Sequence, residues 1–189
     1  MPEETRPMTP GSKCVGTNLR NRLTNQFNFK NALNLGSGRD YIEGWTNADL
    51  DPTMNPDIVC NFDAQDLELP FDNDTFDLIW CSNTMEHIWY LPQLKDELLR
   101  ILQPGGKLIV VVPHYLSLDA WGDDTHVRAF SEHSWYVNYW PGYVINFQYI
   151  KIDASDSQGR ELQWMANVLA KPKEGEESSI ERLSKTMPV

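Results

Sequence analysis

No apolar run in this chain approaches the length of a membrane span. The longest, around Leu108 to Pro113, is one strand's worth, whereas a spanning helix needs about 20 residues. No membrane partner is expected. The opening stretch MPEETRPMTPG has no apolar core, so it does not read as a secretory leader. Cysteine is scarce: Cys14, Cys60 and Cys81, an odd number with no C-x-x-C. That argues against a disulfide framework and a structural zinc, and for a reducing, cytoplasmic setting. Cys60 and Cys81 fall in strand-like runs, where buried free thiols are common. Positive charge is also short, with 16 Lys and Arg against 27 Asp and Glu, a net charge of −11. Such a surface repels phosphate backbones, so nucleic acid is not an expected partner. Arg20, Arg22, Lys13 and Lys30 form the one small basic group and read as a solvated face.

What is present is enough for one domain with a real core in 189 residues. Residues 1–25 read as a flexible lead-in able to fold over a ligand site. Residues 26–171 form the domain, and 172–189 read as a polar, mobile tail. Strand signals fall at 32–35, 45–50, 57–60, 76–81 and 108–112, the last fully apolar as in a central parallel strand. Leu91, Leu94, Leu98, Ile101 and Leu102 recur at three- and four-residue steps and predict a helix. Pro92 suits its first turn, and Pro104-Gly105-Gly106 predicts a sharp stop. A second helix is predicted from Ser131 to Trp140. Two further strands, 143–152 and 162–170, would pair antiparallel across a polar turn at 154–160. The order predicts a three-layer α/β, Rossmann-like fold with a mainly parallel sheet and a C-terminal antiparallel hairpin.

The stretch NALNLGSGRDYIEGWTNADL holds a strand, a glycine turn at Gly36-Ser37-Gly38 and an acid, Asp49, further on. In open parallel sheets ligands bind beyond the strands' carboxyl ends, where this turn would lie. A dinucleotide site asks for G-x-G-x-x-G/A, but Tyr41 occupies the third position, and Asp49 comes sooner than the usual 20 or so residues. Only Arg39 to Glu43 can form a helix before Gly44, about one turn, a poor phosphate anchor. The G-K-[ST] of a Walker loop is absent. A ligand with a ribose but no pyrophosphate remains, and S-adenosylmethionine fits: Asp49 can accept from a ribose diol, and an acidic protein suits a cationic sulfonium.

Taken in order, NLGSG at 34–38, NADL at 47–50, LPFDNDTFDLI at 69–79, MEH at 85–87 and LQPGGKLIV at 102–110 resemble class I S-adenosylmethionine-dependent methyltransferases, most of all the small type 11 group. The resemblance covers about residues 31–115. It implies that Gly36, Ser37 and Gly38 wrap the methionine and ribose end. Asp49 would hold the ribose hydroxyls, with Asp51 a near alternative, and Leu50 would border the adenine. Asp63-Ala64 would meet the adenine amino group, or Asp66-Leu67 in its place. Ser82 and Asn83 would line the methionine part.

Methyl transfer is an in-line attack for which alignment supplies most of the rate, and a base is needed only where the acceptor must lose a proton early. Glu86-His87 sits where some quinone O-methyltransferases carry a metal-binding E-x-x-E-H, but Asn83 replaces the first Glu, so no metal is expected. Glu86 and His87 then support the site, with His87 a substrate contact. His114, after the fifth strand, is a candidate catalytic group at the ligand end of the sheet. Residues 119–135, DAWGDDTHVRAFSEHSW, resemble a D-x-T-H-x-R-x-F segment of methyltransferases encoded with polysaccharide-synthesis enzymes. There His126 is the candidate general base, Asp124 would orient its ring, and Arg128 would fix an acidic or hydroxyl-rich acceptor. His133 reads as a helix-surface residue. Trp135, Tyr136, Tyr139, Trp140 and Tyr143 read as core. The expected activity is S-adenosylmethionine-dependent methyl transfer to a small-molecule or sugar-related acceptor, at a hydroxyl. A non-catalytic cofactor-binding regulator or pseudoenzyme and a protein methyltransferase are the alternatives. The lack of [DN]-P-P-[YFW] after the fourth strand and the negative charge argue against nucleic-acid substrates.

Overall fold

Seven strands form one twisted sheet. They are β1 (Ala32–Leu35), β2 (Thr46–Asp49), β3 (Ile58–Val59), β4 (Phe76–Ser82), β5 (Leu102–Pro113), β6 (Val144–Ser155) and β7 (Glu161–Ala170). The computed structural model describes residues 19–135, 140–155, 161–179 and 181, at 145–155 and 161–162 by their backbone. The strand order is β3-β2-β1-β4-β5-β7-β6. β1 pairs in parallel with β2 and β4, β2 with β3, and β4 with β5. β7 runs antiparallel between β5 and β6. The direction of winding reverses between β1 and β4, which makes their carboxyl ends the switch point where ligands bind.

Side chains alternate between the faces with period two. Leu33 and Leu35 of β1, Ile79 and Cys81 of β4, and Leu108, Val110 and Val112 of β5 enter one core. Ala32, Leu78, Trp80, Ile109 and Val111 enter the other. The first core is covered by helix α1 (Leu91–Ile101), whose Leu91, Leu94, Leu98 and Ile101 are buried. The second is covered by a helical stretch at residues 19–24 that buries Leu19 and Leu23. This is the predicted three-layer Rossmann-like arrangement with thin outer layers, and no described helix is long and apolar enough to cross a membrane.

Five local expectations differ. Arg39–Glu43 forms no helix, only turns. Pro104-Gly105-Gly106 does not end α1: the helix stops at Ile101, and β5 begins at Leu102 with these residues inside it. Phe76 pairs with Leu102 but Leu78 with Lys107, so they form a bulge. Gly105 holds it at φ +81 and donates to Lys171 O. The second helix is a 3-10 turn at Glu132–Trp135; 136–139, with Tyr136 and Tyr139, lie outside the described residues. Trp135, Trp140 and Tyr143 are core, as expected. Of the predicted lead-in, 1–18, with Cys14, lie outside the described residues, whereas 19–25 belong to the domain and Arg20 pairs with Asp40 at 2.8 Å. Of the predicted tail, 180 and 182–189 lie outside as well; Ser178 is buried and Ser179 donates to Tyr143 O. Residues 156–160 of the turn between β6 and β7 also lie outside.

Candidate active site

The glycine turn is held by a polar frame beneath it. Asn34 Nδ2 donates to Asp40 O and to Asn47 Oδ1, and Asn47 Oδ1 accepts from Ile42 N–H. Asn47 N–H and Nδ2 both reach Asp57 Oδ2, while Tyr41 O–H donates to Asp57 Oδ1. These bonds to the ionised form hold the Asp57 carboxyl below its ordinary range. Gly36 and Ser37 N–H both donate to Ala48 O, folding the turn over β2. Gly38 N–H then donates to Asp49 Oδ2 at 2.7 Å, and Asp51 N–H to Asp49 Oδ1 at 2.9 Å. Two backbone donors aim the Asp49 carboxylate and leave a lone pair on each oxygen for a diol.

Both glycines are needed, for different reasons. Gly36 has φ +70, and a Cβ there would lie 2.2 Å from Thr84 Oγ1. Gly38 has φ +47 with open space where its Cβ would be, so a ligand can approach its backbone. Gly36→Ala is expected to cost about 2 kcal/mol or more of folding stability, read as a lower denaturant midpoint. A midpoint equal to wild type would show that the turn relaxes.

The flanking residues fit a nucleoside. Leu50 follows the acid and is 58% exposed, an apolar face without cover. Asp63 and Ala64 are half-buried; Asp63 Oδ1 accepts from Tyr90 N–H, which fixes the carboxylate at the end of the loop after β3. Ser82 ends β4, and Asn83 follows in the left-handed region at φ 50, its N–H bonded to Val111 O.

Beyond Asn83 opens a cavity of about 640 Å³ lined by Glu86, His87, Asp123, His126 and Trp164. Its hydrogen bonds fix which Nδ1 atoms carry a proton. His126 Nδ1 lies 3.3 Å from Ala120 O, a carbonyl that can only accept, so Nδ1 carries the proton and Nε2 holds a lone pair. Thr125 O–H donates to Asp123 Oδ1 at 2.6 Å. With its proton spent there, Thr125 Oγ1 accepts from His87 Nδ1 at 2.9 Å, which leaves a lone pair on His87 Nε2 as well. The two rings meet edge to face at 4.6 Å. Burial and the neighbouring His126 lower the His87 pKa, so its imidazole is neutral at physiological pH. The sequence names Asp124 as the orienting acid; the structure gives the orienting role to its neighbour Asp123, acting on His87 through Thr125. Asp124 makes no hydrogen bond to His126 among the described residues.

Two other predicted residues stand elsewhere. His114 is 3% exposed and does not line the cavity. Its Nδ1 accepts from Leu116 N–H, so Nε2 donates to Glu132 Oε1 at 3.2 Å. It fastens the end of β5 to the segment at Phe130 instead of facing an acceptor. Arg128 donates to Trp89 O and lines a separate pocket with Lys95.

Glu86 is the group that sequence reasoning undervalued. It is 1% exposed, and neither carboxylate oxygen has a hydrogen-bond partner. Burial, reinforced by Asp123, pushes its pKa up to about 8. The folded chain therefore keeps a proton between pH 4.5 and about 8 that the unfolded chain has released. Glu86 contributes nothing below that window, and stability falls as pH rises through it. Glu86→Gln is expected to remove a loss on the order of 3 kcal/mol between pH 5 and 8. Denaturant titrations of both proteins with chelator present measure this, and parallel pH profiles would contradict it. Glu86, His87 and His126 also bring one ligand-type atom each within 4.8 Å of one another, a geometry that can hold a divalent cation although the sequence suggests none. The signal for the cluster is not local, because His126 comes from a loop about forty residues away.

A family model described as a methyltransferase domain matches residues 39–110. Over 55 residues the chain is 53% identical to an uncharacterised protein of Methanocaldococcus jannaschii, covering 29% of this chain and 24% of that protein. It is 32% identical over 71 residues to a demethylmenaquinone methyltransferase of Clavibacter sepedonicus, covering 38% and 29%. The chain thus spans under a third of the length of these curated relatives. The fold matches that of the N-methyltransferase NodS of Bradyrhizobium japonicum in complex with S-adenosyl-L-homocysteine, with a TM-score of 0.61, 15% identity, and 88% and 90% of the two chains covered. The glycine turn that Asp49 closes, the bare Leu50 and the open face of Gly38 suit that cofactor. Residues 39–110 thus match a methyltransferase domain, and the chain has the fold of an S-adenosylmethionine-dependent methyltransferase.

Proposed function

We propose that this protein transfers a methyl group from S-adenosylmethionine to a hydroxyl of a small, sugar-related metabolite. The observation that carries the reading is the position of a cavity with two imidazole lone pairs beyond Asn83, one residue from the Thr84 that touches the glycine turn. S-adenosylmethionine supplies a methyl on an electrophilic sulfonium. Gly36, Ser37 and Gly38 hold its amino-acid and ribose end, Asp49 its diol, and Leu50 and Asp63 its adenine. His126 Nε2 accepts the proton of the acceptor hydroxyl. Thr125 and Asp123 hold His87 beside it. Trp164 and the exposed Leu118 line the same cavity and give it an apolar wall for an acceptor's ring. Hydroxyl as the acceptor atom rests on the two imidazoles whose Nε2 atoms are left without a partner in the cavity and on the D-x-T-H-x-R-x-F likeness.

Calorimetric titration with S-adenosylhomocysteine, with NAD as control, tests the cofactor half. One-site binding of the first and none of the second is expected. Binding of NAD, or of neither, would overturn it. Turnover against a panel of hydroxylated acceptors tests the rest: cofactor binding without turnover would favour a non-catalytic binding protein.

A further inference from the structure

A second, smaller pocket of about 290 Å³ lies between α1 and residues 128–134. Lys95, Arg128 and His133 line it with Ser134, over an apolar floor that includes Leu91 and Phe130, and no carboxylate is among its lining residues. That is unusual for a chain with a net charge of −11. Arg128 is anchored at one end only, by Nη2 donating to Trp89 O, while its Nε is buried without a partner. Burying a guanidinium N–H unpaired costs free energy that a bound acceptor recovers. Asp63 acts on Arg128 through space, and Lys95 Nζ stands over the Trp140 ring, 4.2 Å from its centroid. The two cations meanwhile repel each other: burial first, then Arg128, lowers the Lys95 pKa to about 8. An oxyanion between them would relieve both effects, with the Arg fork giving directed bonds and Lys a point charge. The pocket is tied to the reaction cavity, since Val127 N–H donates to Glu86 O and Arg128 stands two residues from His126.

We propose that this pocket binds a phosphate group carried by the methyl acceptor, so that the substrate is a phosphorylated hydroxy metabolite. The acceptor's identity rests on the function proposed above; the binding of phosphate does not. Free phosphate shares the same chemistry, and the two are separated by titrating the full chain with inorganic phosphate and with glucose 1-phosphate at constant ionic strength against chloride. One-site binding is expected, about 10-fold tighter for glucose 1-phosphate. Arg128→Gln and Lys95→Met should each weaken both by about 10-fold while leaving S-adenosylhomocysteine affinity unchanged, which also shows that the variants fold. No binding above chloride, or binding indifferent to Arg128→Gln, would overturn the pocket. Equal affinity for the two phosphates would overturn its assignment to the acceptor. The cofactor titration judges the methyltransferase reading separately.

Discussion

Asp49→Ala is expected to weaken S-adenosylhomocysteine binding by about 100-fold or more. The carboxylate can accept from both ribose hydroxyls, and hydrogen bonds to a charged group are worth about 1.5–3 kcal/mol each; two of them correspond to at least two orders of magnitude in affinity. The loss does not stop at the ribose. Asp49 Oδ2 is the acceptor for Gly38 N–H, and Oδ1 for Asp51 N–H. Removing it frees the turn that must cradle the other end of the cofactor. Asp49→Asn separates the two contributions, because an amide oxygen keeps one backbone bond while the charge is gone. Calorimetry with the three proteins checks the prediction, and an affinity within threefold of wild type in Asp49→Ala would show that another acid holds the ribose.

His126→Ala is expected to lower kcat by about 100- to 10,000-fold, the range for a positioned general base, with S-adenosylhomocysteine affinity unchanged. The argument rests on the tautomer. Ala120 O holds the proton on Nδ1, so Nε2 is ready to accept without reorganisation. The ring is half-buried and its hydrogen bond goes to Ala120 O, outside the sheet, so truncation should leave the sheet intact. His87 Nε2 also carries a lone pair nearby, and a double variant reads how far it substitutes. Because Glu86, His87 and His126 can also hold a cation, turnover is compared with and without EDTA. An unchanged rate in chelator assigns the loss to proton transfer; full activity in His126→Ala would remove the residue from the reaction.

The glycine turn and the acid that closes it were legible in the sequence because they are local. Gly38 lies eleven residues before Asp49, and parallel pairing of β1 with β2 necessarily brings their carboxyl ends together. The apolar alternation of β4 and β5 and the three- and four-residue steps of α1 reflect which face each residue buries, so they predicted their elements well. Where the sequence misled, a residue's usual punctuation was overruled by a partner far along the chain. Pro104-Gly105-Gly106 reads as a stop, yet it is a bulge because Lys171 at the end of β7 bonds Gly105 and Gly106.

The acceptor side depended on such distant partners throughout. His114 looked available at the end of a strand until Glu132 and Leu116 claimed both ring nitrogens. Asp123 and Asp124 are neighbours in the sequence; the turn at Thr125, bonded to His87, decides which one orients a ring. By itself the sequence determined a parallel α/β sheet and a glycine turn beside an acid, because strand periodicity and glycine geometry act between near neighbours. Only the tertiary structure decided which histidines face the cavity and with which nitrogen. It alone left Glu86 buried without a partner and gathered Lys95 with Arg128, because those relations arise where loops after different strands meet.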